Sequence, residues 1–257
     1  MKPGLLVISH GSREPGWVAL VDRAVNEART ALGDAWLVEA AFLELVDGRL
    51  IQDGVRRLEA AGAKRVLALP LFVSSGSTHV DEIGWALGAY PEPRIETDLP
   101  RVEANAELTY GKPMDDDPEI VDVLLDRLRE MSSAPAEESI LLVAHGSKEP
   151  GFKETWQSGM ASIGEQLVKR GGYGRFAGAL LQLEEVAEKY AWLREKQPAH
   201  SIVVLPLFLS EGYFTNIVIP RELTGLECKY SGRAFMPHPR VADWIARKAR
   251  EWDAGKL

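Results

Sequence analysis

One motif occurs twice, and the repeat constrains the fold more than any other feature of the chain. Residues 5–16 read LLVISHGSREPG and residues 141–151 read LLVAHGSKEPG. In each copy a short apolar run stops at a histidine and passes into Gly and Pro-Gly punctuation, as a buried strand does on entering a loop. The histidines, His10 and His145, are 135 positions apart (145 − 10), and Pro70-Leu71-Phe72 is answered by Pro206-Leu207-Phe208 at 136 (206 − 70). The closing helices correspond as well, Asp117-Pro118-Glu119 matching His238-Pro239-Arg240. Duplication of a whole domain of about 130 residues, inside the usual range of roughly 100–200, is the economical explanation.

Each copy alternates strand and helix. Strands are expected at 5–9, 36–45, 65–73 and 94–99, with helices at 17–32, 50–60, 81–88 and 118–131. Residues 17–32 place Trp17, Leu20, Val21, Ala24, Val25, Ala28 and Leu32 on one helical face. The second half repeats the series, with strands at 140–144, 175–183, 202–209 and 232–236 and helices at 152–170, 184–195, within 210–223, and at 239–252. This βαβα order predicts an α/β protein of two duplicated domains, each a small parallel sheet of about four strands with helices on both faces and right-handed crossovers. The domains are expected at 1–132 and 139–257, joined by a Ser, Ala, Pro and acid-rich linker at 133–138. The run Asp115 to Asp117 could be mistaken for a metal site, but its place before a helix argues for capping and dipole compensation.

Composition narrows the chemistry. With 46% apolar and 26% charged residues the chain has material for two cores. Cys228 is the only cysteine, so a disulfide, an iron–sulfur cluster or a thiolate zinc cage cannot be built within the chain, and a metal would need His, Asp or Glu. A net charge of −8 without a basic run opposes general nucleic-acid or membrane-surface binding. No apolar stretch of membrane-spanning length and no signal peptide is visible, which makes the cytoplasm the expected location.

In an open parallel sheet, ligands bind beyond the carboxyl ends of the strands. His10 lies just past the first strand, Glu44 near the end of the second, and Ser74 to His79 just past the third. Two imidazoles and a carboxylate at one crevice suit a borderline divalent cation and leave coordination positions open. Taken singly each has a plainer role: His10 a hydrogen-bonded structural residue, Glu44 the polar face of a strand, His79 an exposed loop residue. Their coincidence at one sheet edge favours a site. Gly11 and Gly76 would let the backbone approach a bulky ligand. In the second copy His145 remains, Gln182 stands where Glu44 was, and the loop Ser210-Glu211-Gly212-Tyr213-Phe214-Thr215-Asn216 has no histidine. The second copy is therefore expected to be degenerate, with His145 preserving a turn.

His10-Gly11-Ser12-Arg13, together with Leu69-Pro70-Leu71-Phe72-Val73-Ser74-Ser75-Gly76 and the following His79, resembles the sirohydrochlorin chelatases, the class II cobalt- and iron-inserting chelatases of cobalamin and siroheme synthesis. The likeness spans nearly the whole chain and is to the long, two-domain form, in which a fused second domain replaces the partner of the short homodimeric form. It implies a monomeric pseudo-dimer and ATP-independent insertion of a divalent metal into sirohydrochlorin, a flat tetrapyrrole bearing eight carboxylates. Cobaltous and ferrous ion are the implied metals, nickel a third, each as substrate, and no organic cofactor is implied. Carried over by position, His10 and His79 would be metal ligands, with His10 also a proton acceptor, and Glu44 a ligand or base. Ser12, Arg13 and the loop Ser74, Ser75, Gly76, Ser77 and Thr78 would meet the tetrapyrrole. A cleft between the two domains would suit the macrocycle.

Three other readings compete. A non-catalytic metal or tetrapyrrole carrier on the same fold could lose the base, which the first copy keeps. A histidine phosphotransfer protein would want Arg before the strand-end His, where Ser9 stands. A two-lobed periplasmic metal-binding protein would need an export signal.

Overall fold

The computed structural model describes residues 2–256; the outermost residues of the expected domains, Met1 and Leu257, lie outside them. The chain forms two compact units, Met1–Met114 with His238–Leu257, and Asp115–Pro237.

The first unit contains β1 (Gly4–Ser9), α1 (Pro15–Leu32), β2 (Leu37–Phe42), α2 (Ile51–Ala60), β3 (Arg65–Pro70), α3 (Thr78–Ala86) and β4 (Glu107–Tyr110). The second contains α4 (Pro118–Arg129), β5 (Glu138–Ala144), α5 (Phe152–Gly171), β6 (Arg175–Leu180), α6 (Val186–Lys196), β7 (Ser201–Leu207), α7 (Ile219–Glu222) and β8 (Lys229–Tyr230). The last helix, α8 (Pro239–Asp253), belongs to the first unit. Each unit thus holds one four-stranded, all-parallel sheet, in the orders β2-β1-β3-β4 and β6-β5-β7-β8.

The central strands are apolar on both faces because helices cover both. Leu6 and Ile8 of β1 face Ile51, Val55 and Leu58 of α2 and Val80 and Ile83 of α3. Leu5 and Val7 point the other way, as the two-residue period of a strand requires, toward the side where α1 and α8 pack together. In the second unit Leu141 and Val143 face α6 and α7, and α4 lies with α5 on the opposite side. The compact units are therefore offset from the sequence repeat by one helix: α4, which closes the first repeat, packs in the second unit, and α8 packs in the first.

Two expected strands are not strands. Residues 94–99 are irregular, and the fourth strand is Glu107–Tyr110, inside what reads as a long connection. Asp81 on α3, only 2% exposed, accepts from the Arg94 backbone N–H (2.9 Å), from Arg94 Nε (2.6 Å) and from the Tyr90 hydroxyl, so this segment is tied to a helix instead of a sheet. In the second unit β8 is Lys229–Tyr230, and 232–236 contributes only a single parallel bridge, Ser210 to Met236. Asp117 holds the N-cap position of α4 without a side-chain capping bond, while the Asp116 carboxylate accepts from the Ser162 hydroxyl.

Among the described residues, no helix is long and apolar enough to cross a membrane.

Candidate active site

Strand register brings the candidate residues together. Ser9 pairs with Phe42 and Ile8 with Pro70, so β1, β2 and β3 end level with one another. The backbone bonding continues past the strands, with Leu43 N–H donating to the Ser9 carbonyl (2.8 Å), Glu44 N–H to the His10 carbonyl (3.0 Å) and Leu71 N–H to the Ile8 carbonyl (2.7 Å). Glu44 consequently sits on a bend, the strand having ended at Phe42 and not at residue 45, and Leu45 follows at φ +66°. Gly11, at φ +106°, lies so close to this bend that a Cβ there would be 1.9 Å from the Glu44 carbonyl oxygen.

Hydrogen bonding fixes how each imidazole presents itself. His10 Nδ1 lies 3.1 Å from the Gly11 carbonyl oxygen. A carbonyl only accepts, so Nδ1 carries the proton and Nε2 keeps its lone pair. That Nε2 is 3.7 Å from Glu44 Oε1, beyond hydrogen-bond length but within reach of a shared ion. His79 occupies the first turn of α3, with Nδ1 2.6 Å from Glu82 Oε1, and by the same logic its lone pair is also on Nε2. The two rings meet edge to face, centroids 4.7 Å apart and planes inclined by 77°.

The loop between β3 and α3 is ordered by its own serine. Ser74 is buried; its hydroxyl accepts from Gly76 N–H (3.0 Å) and its carbonyl from Ser77 N–H (3.1 Å). Ser77 is the N-cap of α3, which places Thr78 and His79 at the amino end of the helix dipole. Ser12 accepts from Glu14 N–H at 3.0 Å, and Arg13 is exposed.

Glu82 is the residue that sequence reasoning missed. Burial alone would push its carboxyl up, but hydrogen bonds from His79 and Thr97 outweigh burial and hold it below the ordinary glutamate value. The spacing His79-Val80-Asp81-Glu82 is the i,i+3 signature of two groups on one helical face. Starting the helix at residue 81 leaves His79 outside it and hides the pair.

The arrangement is open. Among the described residues, no three His, Cys, Asp or Glu side chains form a preformed metal cage. Glu44 is 54% exposed by side chain beside an imidazole pair with two lone pairs. Such a set suits a cation that arrives, exchanges water and leaves.

The second unit copies the backbone of this site and omits its chemistry. His145 Nδ1 lies 3.1 Å from the Gly146 carbonyl, and Gln182 N–H donates to the His145 carbonyl at 3.0 Å, as Glu44 does to His10. In the place of His79 stands Phe214, its ring 5.0 Å from that of His145 at 89°. The remaining histidines are structural: His200 Nδ1 bonds the Ser139 hydroxyl, and His238 N-caps α8 by accepting from Arg240 N–H.

Comparison with known proteins identifies the family. The CbiX family model matches residues 4–131 and again 139–252. The chain belongs to the CbiX family. Among curated relatives, the sirohydrochlorin cobaltochelatase of Methanopyrus kandleri is 27% identical over 137 residues, 94% of that protein but 49% of this chain. The sirohydrochlorin ferrochelatase of Priestia megaterium is 26% identical over 216 residues, 82% of this chain and 75% of that protein. Among solved structures, SirB from Bacillus subtilis with Fe3+ shares the fold with a TM-score of 0.74 at 22% identity, covering 98% of this chain and 95% of its own. One relative spans half the chain and the others most of it, in keeping with a duplicated domain.

Proposed function

We propose that this chain inserts a divalent metal, cobaltous or ferrous ion, into sirohydrochlorin without ATP, in the cytoplasm and as a monomer. The observation that carries this reading is the facing pair His10 and His79, each with Nδ1 bonded to the protein and Nε2 left as donor, beside the Glu44 carboxylate.

Insertion requires the metal to shed water and two pyrrole N–H groups to lose protons. His10 and His79 replace water on the metal as imidazole donors. Of the two pyrrole protons, Glu44, exposed and 3.7 Å from His10 Nε2, takes one, sharing the metal before transfer, and His10 Nε2 takes the other once the metal has passed to the ring. Arg13 and Ser12 after β1, and the loop Ser74, Ser75, Gly76, Ser77 and Thr78 with its helix N-terminus, meet the substrate's carboxylates. Nothing in the donor set selects among cobalt, iron and nickel, because identical ligands rank first-row metals in one order and supply decides. The test is the absorbance change on mixing purified protein with sirohydrochlorin and Co2+ or Fe2+. Insertion faster than the protein-free rate supports the enzyme, and an unchanged rate with retained binding indicates a carrier.

A further inference from the structure

We propose that Glu82 is the positioning residue that sets the tautomer and direction of His79, and that Thr97 holds Glu82 in place. This rests on the reading of His79 as a ligand of the incoming metal.

The geometry is a relay of three side chains. His79 Nδ1 is 2.6 Å from Glu82 Oε1, and Thr97 Oγ1 donates to Glu82 Oε2 at 2.7 Å. The carboxylate is held at both oxygens, so it cannot rotate away from the imidazole. Glu82 is 16% exposed by side chain, which sets it apart from the solvated i,i+3 pair Arg129–Asp126, whose partners are 69% and 43% exposed. A ring nitrogen bonded to a carboxylate keeps its proton there, leaving the lone pair on the other nitrogen and making it a better donor. The relay therefore fixes the proton on Nδ1 and offers Nε2, on a ring that stands edge-on to His10.

The relay also gives a purpose to the irregular segment between α3 and β4. Asp81 and Glu82 are consecutive on α3 and both bind it, Asp81 through Arg94 and Tyr90, Glu82 through Thr97. Asp81 is spent entirely on anchoring. Glu82 uses one oxygen on the anchor and the other on the imidazole, so the segment bears on the ligand through a single carboxylate.

The test uses the full chain and the variants E82A, E82Q, T97V, H79A and E82A/H79A, with thermal melting to confirm folding. In metal-free protein at a pH where imidazole is neutral, the 15N resonances of the His79 ring report which nitrogen bears hydrogen. The native ring is expected to be Nδ1-protonated, E82A to move toward the Nε2-protonated form, and E82Q, whose amide oxygen still accepts, to stay close to native. In insertion assays E82A is expected to raise the KM for Co2+ by about 10–100-fold, with T97V shifting it the same way by less. In the H79A background E82A should cost nothing further, because its effect passes through the ring. An unchanged His79 tautomer in E82A, or an equal loss from E82A with and without His79, overturns the proposal. Should E82A fail to fold, T97V carries the same two readouts, since it leaves the Asp81 anchor intact. The ring spectrum needs neither metal nor tetrapyrrole, so absence of chelatase activity would refute the proposed function and leave the positioning claim decided by the tautomer.

Discussion

His145 and Phe214 meet edge to face in the second unit with ring centroids 5.0 Å apart, reproducing the contact of His10 with His79 at 4.7 Å. One imidazole has been exchanged for a phenyl ring and a carboxylate, at Gln182, for an amide, while the backbone around them is kept. Exchanging those two side chains back should therefore give the second half a site of the same kind. The double variant F214H/Q182E is expected to raise the Co2+ stoichiometry, read by titration of the cobalt visible spectrum, from one per chain to two. A stoichiometry that stays at one would mean that the copied backbone does not place these side chains as the first unit does.

Gly11 links the fold to the chemistry. Its φ of +106° and the 1.9 Å approach of a Cβ to the Glu44 carbonyl leave no room for a side chain, and backbone cannot yield as a flexible side chain would. G11A is expected to cost about 2–4 kcal/mol of stability and to lower kcat by moving Glu44. G33A is the control. Gly33 is also at positive φ (+69°), in a region nearly confined to glycine, but with nothing near its added methyl, so it should lose only the conformational strain of about 1–3 kcal/mol and keep kcat. Denaturant melts with parallel insertion rates separate the two effects.

Acid stability of the second unit should depend on Glu138. Its side chain is 1% exposed, and burial would push its carboxyl up. Lys229 at 2.7 Å, the Ser132 hydroxyl and the Ser133 N–H outweigh burial and hold it below the ordinary value. The unfolded chain binds this proton more readily than the folded one. The contribution is therefore complete above the unfolded glutamate pKa of about 4.3 and lost as pH falls toward the depressed folded value. K229M removes the main compensation, raising the carboxyl's pKa and costing about 1–3 kcal/mol at neutral pH. Circular dichroism through an acid titration should show the unfolding midpoint move to higher pH. An unmoved midpoint would assign the acid sensitivity elsewhere.

What the sequence made legible follows from the physics of buried parallel strands. Leu5 to Ile8 and Ile140 to Ala144 are fully buried on both faces and read as unbroken apolar runs, so both sheets and the histidines at their ends could be found. The fourth strand of each sheet could not. Residues 94–99 put Ile95, Thr97 and Leu99 on one side of a two-residue period, as a strand would, yet Asp81 draws the start of this segment onto α3, and the true fourth strand, Glu107–Tyr110, is short and only partly buried. Local composition also hid the start of α3: the small-residue loop Ser74 to Thr78 reads as irregular, whereas Ser77 holds the N-cap position of a helix that already contains Thr78 and His79. The offset of α4 and α8 from the repeat leaves no local trace, because an amphipathic helix records that it is covered and not by which sheet.

The measurement that bears most directly on the central claim is the initial rate of Co2+ insertion into sirohydrochlorin by the native chain and by H10A, H79A and H145A. The account predicts a loss of about 10²–10⁴-fold for H10A and for H79A, and for H145A a rate within about threefold of native. A native rate no faster than the protein-free control, or an H145A loss as deep as that of H79A, would contradict it.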